Sequence, residues 1–148
     1  MPKTLLYWDD VSVGIEVTAL YKTATTRQLV MWAGASGDFY EVHYDKDFAQ
    51  ENGLPGVIVH GALKNAWLAQ LMTDWIGPTG RLTKLAVQYR ATDVPNDHLV
   101  CKGLVRAKHR QGQNALVDCD IWLENGKGEK TTTGSATVAL PMIDGSGF

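Results

Sequence analysis

Asp38 and His43 stand five positions apart in the segment GASGDFYEVHYD. In a loop, that spacing lets a carboxylate and an imidazole converge on one small volume. The two types suit proton transfer near neutral pH, because imidazole titrates there. A carboxylate beside it can hold the ring or help activate a water. An Asp and a His this close also arise as a loop cap and a surface histidine, so the pair alone leaves both readings open. A second segment, GVIVHGALKNAW, places His60 and Gly61 at the head of a long apolar run. A helix opening there would put the Gly61 N–H at a helix N-terminus, where the dipole favours negative charge. That donor would suit an oxyanion, such as a thioester carbonyl turning into an enolate. The alternative is a glycine that serves only a tight strand-to-helix turn.

The elements around these residues can be read from their periods. Glu16 to Thr25 reads as a strand, rich in Val, Thr and Tyr. Thr26 reads as the N-cap of a helix through RQLVMWAGAS, which Gly37 stops. A short helix covers Lys46 to Glu51; NGLPG is a turn and VIV a short extended piece. His60 to Ile76 is the main helix, apolar on most sides and interrupted only by Lys64, Asn65, Gln70, Thr73 and Asp74. Such a helix expects to be surrounded. Gly77-Pro78 ends it.

Beyond that point the period becomes two. Leu85, Val87, Tyr89 and Ala91 form one inward set, Leu99 to Ala107 a second, Ala115 to Leu123 a third. Thr131 to Leu140 makes a fourth run, and the turns PNDH, RQGQN and ENGKGEK are polar. Alternation with short turns predicts an antiparallel meander with one buried face. One long helix before four strands packs most economically as an α+β hot-dog arrangement, a long buried helix wrapped by a curved antiparallel sheet. Open sheet edges predict a homodimer or higher homo-oligomer.

The chain has 148 residues and no linker, repeat or low-complexity segment, which predicts one domain over 1–148, with the tail IDGSGF from about 142 frayed. Hydrophobic residues make 45% and charged residues 20%, ordinary values for a globular protein. A net charge of -2 gives no basic footprint for nucleic acid and no attraction to an anionic membrane. The start, MPKTLLYWDDVSVG, lacks the apolar run of a secretory signal, and no stretch reaches membrane-spanning length, so a cytoplasmic location is the default expectation. Cys101 and Cys119 lack metal-type spacing and fall in alternating apolar runs; they read as core residues, and no metal is expected.

Taken together, the two segments resemble those of the MaoC-like (R)-specific enoyl-CoA hydratases and the related 3-hydroxyacyl thioester dehydratases. That family carries S-G-D-x-N-P-x-H-x-D, and this chain reads SGDFYEVHYD from Ser36 to Asp45. Its A/V-H-G-M/A-L segment is matched by VHGAL, Val59 to Leu63, and YRATDVPND is similar to the family's strand segment after the helix. The resemblance covers roughly Val11 to Leu140. It implies addition of water to trans-2-enoyl thioesters, or the reverse dehydration, on a small-molecule substrate carried by CoA or an acyl carrier. Asp38 and His43 match the acid/base pair that activates water and protonates the α-carbon; Gly61 matches the oxyanion donor. No metal or organic cofactor is implied, because the thioester already acidifies the α-position.

One departure stands out. The family's Asn and Pro are Tyr40 and Glu41 here. Three readings follow: an unusual acyl group lined or crowded by Tyr40, reduced activity, or one half of a heteromeric enzyme. With Asp38 and His43 both present, an active subunit is favoured; a hot-dog acyl-CoA thioesterase is the other enzymatic alternative. Ser36 either hydrogen-bonds near the pair or caps the helix end. His60 reads as a buried, satisfied histidine or as a substrate contact. Arg90 is the basic residue best suited to the phosphates of CoA. Lys64, the odd polar residue in the buried helix, either sits near the helix mouth or pairs with an acidic group, because a buried unpaired lysine would be costly.

Overall fold

The computed structural model describes residues 5–146. Its elements in chain order are β1 (Glu16–Lys22), α1 (Thr26–Ser36), α2 (Lys46–Glu51), α3 (Gly61–Ile76), β2 (Arg81–Tyr89), β3 (Leu99–Gln111), β4 (Asn114–Glu124) and β5 (Lys130–Ala139). Short 3-10 turns cover Trp8–Asp10 and Glu41–His43.

Local chemistry sets the helix ends. Thr25, rather than Thr26, caps α1: its backbone is extended and its side chain accepts the Gln28 N–H at 3.1 Å. Neighbouring threonines are equally able to cap, and the one left outside the helical φ/ψ takes the role. Gly37 closes α1 in the left-handed conformation, φ 77°, and its N–H donates to Ala33 O at 2.9 Å. Asp45 caps α2 by accepting the Phe48 N–H at 3.0 Å. These two caps bound the loop that carries Asp38 and His43. His60 is the residue before α3 rather than its first turn.

All strand pairs are antiparallel, in the order β1-β3-β4-β5-β2. This differs from the expected meander. β3, β4 and β5 are consecutive neighbours, but β2 joins the free edge of β5 and β1 the free edge of β3. Alternation tells which face a strand buries and is silent on which strand lies beside it. Each pairing shifts register once, at Val17/Leu20, Leu82/Lys84, Val105/Ala107 and Leu123/Glu124. Such bulges bend strands, and the sheet curls around α3.

The buried stripe of α3, Leu63, Trp67, Leu68, Leu71, Met72 and Ile76, faces the inward set of β3, β4 and β5. Each fully buried large side chain of this kind contributes about 1.5–3 kcal/mol. The sheet wraps one side of the helix only: Ala62, Gln70, Thr73 and Asp74 are exposed, so α3 is less enclosed than its composition suggests. β2 ends at Tyr89, which is 52% exposed and does not belong to the inward set. Cys101 and Cys119 are buried and free, and burial pushes each thiol up to about 12. Near the C-terminus, the Trp8 N–H donates to Pro141 O at 2.9 Å and the Ile143 N–H to Asp9 at 3.0 Å. The last two residues of the tail expected to fray lie outside the described residues. Among the described residues, no helix is long and apolar enough to cross a membrane.

Candidate active site

The loop after α1 is built from its own hydrogen bonds. Ser36 Oγ donates to Trp32 O at 2.7 Å and accepts the Asp38 N–H at 3.2 Å, which is the capping role. Asp38 Oδ1 accepts the Tyr40 N–H at 3.3 Å, a local turn that aims the carboxylate. The 3-10 turn Glu41–His43 then swings His43 inward, and the Ile58 N–H donates to Val42 O at 3.0 Å to seat that turn on the extended piece before α3.

His43 Nδ1 lies 2.8 Å from Ile58 O. A carbonyl only accepts, so Nδ1 carries the proton and the neutral ring keeps its lone pair on Nε2. Nε2 lies 3.8 Å from Asp38 Oδ2, with the His43 side chain 9% and the Asp38 side chain 44% exposed. That gap is too long for a direct hydrogen bond. It is short enough for one oxygen to bond both groups.

His60 is fully buried and stacks on His43, with ring centroids 3.8 Å apart and planes at 20°. Its Nε2 lies 3.3 Å from Asp38 O, so Nε2–H is the donor, while Nδ1 is buried without a partner among the described residues. Burial, and next the charge of His43, hold the His60 pKa below its ordinary value, which keeps this ring neutral. Ligand atoms of Asp38, His43 and His60 fall within 4.8 Å of one another. One nitrogen of each ring donates to a carbonyl and the other keeps its lone pair, an arrangement suited to proton chemistry.

A cleft of about 350 Å³ opens beside His43 and is also lined by Ile58, Val59, Gly61, Lys64, Tyr89 and Arg90 to Thr92. Gly61 does not have a positive φ, so its backbone conformation does not by itself demand a glycine. A Cβ there would meet the Tyr89 ring at 3.0 Å. The glycine lets that ring lie against the first turn of α3, whose leading N–H groups have no intrahelical acceptor.

The structure thus brings together Asp38, His43, His60 and Gly61. Arg90 is at the cleft rim, exposed, with its guanidinium bonded to Gln88 and, at 3.4 Å, to Thr133 Oγ1. Tyr40 is 54% exposed and meets His43 edge-on at 6.2 Å, outside the cleft lining. Ser36 supports the loop from the helix end. Tyr89 and Asp93 escaped the sequence reading. The alternating pattern carried on through Tyr89 to Ala91 and held no signal that Tyr89 leaves the core. Of the two readings of Lys64, the structure shows the acidic partner, and it is Asp93 at 2.8 Å. A larger depression of about 580 Å³ lies across the sheet at Gln88, Asp120, Trp122 and Thr133, and holds none of these residues.

Residues 12–122 match the family model described as MaoC like domain. The 3-oxo-4,17-pregnadiene-20-carboxyl-CoA hydratase beta subunit of Mycobacterium tuberculosis is 27% identical over 116 residues, 78% of this chain and 84% of that protein. The fatty acid synthase beta subunit TOXC of Cochliobolus carbonum is 32% identical over 73 residues; this is 48% of the chain but only 4% of that much longer protein. The solved structure of an (R)-hydratase from A. caviae involved in PHA biosynthesis superposes with a TM-score of 0.81 at 22% identity, covering 89% of this chain and 98% of that one. The likeness shows the hot-dog fold.

Proposed function

The chain belongs to the family of MaoC-like domains, and on that premise we propose that it hydrates trans-2-enoyl thioesters to (R)-3-hydroxyacyl thioesters, or runs the reverse dehydration. The observation that carries this reading is the lone pair of His43 Nε2, freed by the Nδ1 bond to Ile58 O, facing Asp38 at 3.8 Å beside the first turn of α3. Asp38 and His43 hold a water oxygen between them and take one of its protons. The oxygen bonds to C3, and the π electrons of the C2–C3 double bond move onto the thioester carbonyl. The Gly61 N–H stabilises that oxyanion. The proton then passes from the pair to C2, so water is added and nothing is oxidised or reduced. The substrate is a CoA or acyl-carrier thioester, and the chemistry calls for no cofactor beyond it. Arg90, which lines the cleft, is the residue we assign to carrier phosphates.

A second reading is a subunit of a heteromeric hydratase. It is favoured by the name of the mycobacterial relative, itself a beta subunit, and by Tyr40 and Glu41 in the loop. Loss of enoyl absorbance on mixing the purified protein with crotonyl-CoA and longer trans-2-enoyl-CoA substrates separates the readings. Turnover that vanishes in His43→Ala supports the hydratase. No turnover at any chain length moves the assignment to the heteromer. CoA release from saturated acyl-CoA would instead indicate a thioesterase.

A further inference from the structure

β4 and β5 lie between β2 and β3 in the sheet, so the link over residues 90–98 must cross that width. Its first residues, Arg90, Ala91 and Thr92, line the same cleft as His43 and Gly61. Backbone bonds hold the link where Arg90 and Ala91 donate to Thr131 O (2.8 and 3.1 Å) and where Val59 donates to Asp93 O (2.8 Å). One side chain ties it to the helix. Lys64 Nζ donates to Ala91 O at 3.0 Å and to Asp93 Oδ2 at 2.8 Å, and Thr131 Oγ1 donates to the same oxygen at 2.7 Å. Both partners are 2% exposed, and Asp93 Oδ1 is buried with no partner among the described residues. A buried ion pair seldom outdoes apolar residues of the same shape in stability, and an unsatisfied buried oxygen adds a cost. What this pair supplies is position. The ammonium sits one turn along α3 from Gly61 and grips the segment that forms another wall of the cleft.

We propose that the Lys64–Asp93 pair fixes the separation of α3 from the 90–93 segment, making both specificity-determining positioning residues for the acyl thioester. The proposal rests on the hydratase reading. The test compares wild type, Lys64→Met, and the double variant Lys64→Met/Asp93→Leu. Lys64→Met strands the carboxylate, and its Tm falls by about 10 °C. The double variant carries no stranded charge and regains most of that loss. Its ratio of kcat/KM between crotonyl-CoA and an eight-carbon 2-enoyl-CoA shifts at least about tenfold, carried by KM. A regained Tm with an unchanged ratio overturns the proposal, because the pair is then only structural. Should the double variant not fold, Thr131→Val, which strips the other donor to Asp93, is read by the same ratio. If wild type turns over no enoyl-CoA, the hydratase reading fails on its own. Amide exchange then decides the latch: faster exchange at Val59, Arg90 and Ala91 in the folded variant supports it, and unchanged exchange overturns it.

Discussion

The role proposed for His43 rests on one hydrogen bond. Donation from Nδ1 to Ile58 O leaves Nε2 as the basic atom, and Asp38 stands across from it on a loop stiffened by Ser36. Asp38→Asn and His43→Ala should each lower kcat by roughly 10²–10⁴-fold, the usual contribution of a positioned acid or base. Near-normal turnover in either variant would defeat the assignment. His60 adds a dependence on pH. Its folded pKa lies below the ordinary 6.5, chiefly through burial. Below pH 6.5 the unfolded chain takes up a proton that native His60 refuses, so stability is full above that pH and is lost as pH falls toward the depressed value. His60→Gln removes this term. Its Tm should fall less than that of wild type between pH 7 and pH 5; equal losses would show that His60 does not carry the effect.

Two glycines show how elements approach one another. Val87 of β2 pairs with Gly134 of β5, and a Cβ on Gly134 would come 2.1 Å from Ala86 O. Backbone cannot swing aside as a side-chain end can. Gly134→Ala should cost roughly 3 kcal/mol, about 6–12 °C in Tm, readable by calorimetry; an unchanged Tm would mean that β2 can slide away from β5. Gly61 differs, because the obstacle is the half-exposed ring of Tyr89. The ring can turn out, and alanine suits a helix better than glycine. Gly61→Ala should keep its Tm within about 3 °C, yet lose at least tenfold in kcat/KM as Tyr89 moves across the cleft. Retained activity would place Tyr89 outside the substrate path. The two ends of α1 were legible in the sequence, Gly37 to the residue and Thr25 to within one position. Tyr89 was not, because an aromatic at the end of an alternating run has the same local pattern whether it enters the core or leaves it.

At the scale of the molecule, β1 and β2 present unpaired edges, and α3 is wrapped on one side only. Exposed edges invite pairing with another chain. The purified protein is therefore expected to sediment as a dimer or larger assembly; a monomer at micromolar concentration that also lacks enoyl-CoA turnover would favour a different partner chain.

The chain by itself determined the Asp38-to-His43 spacing, the helix behind it and the inward faces of β3 to β5, and it marked Lys64 as a lysine that either pairs with an acid or sits near the helix mouth. Those features depend on residue type and on spacing within one turn or one pleat, which are local. Tertiary structure alone decided that β2 crosses to the far edge of the sheet, that Asp93 is the acid, that His60 stacks on His43, and that Gly61 is small because Tyr89 lies against it. Each of these joins residues separated by 17 to 29 positions or by whole strands, and the energy that selects them comes from packing and burial, which no periodicity records.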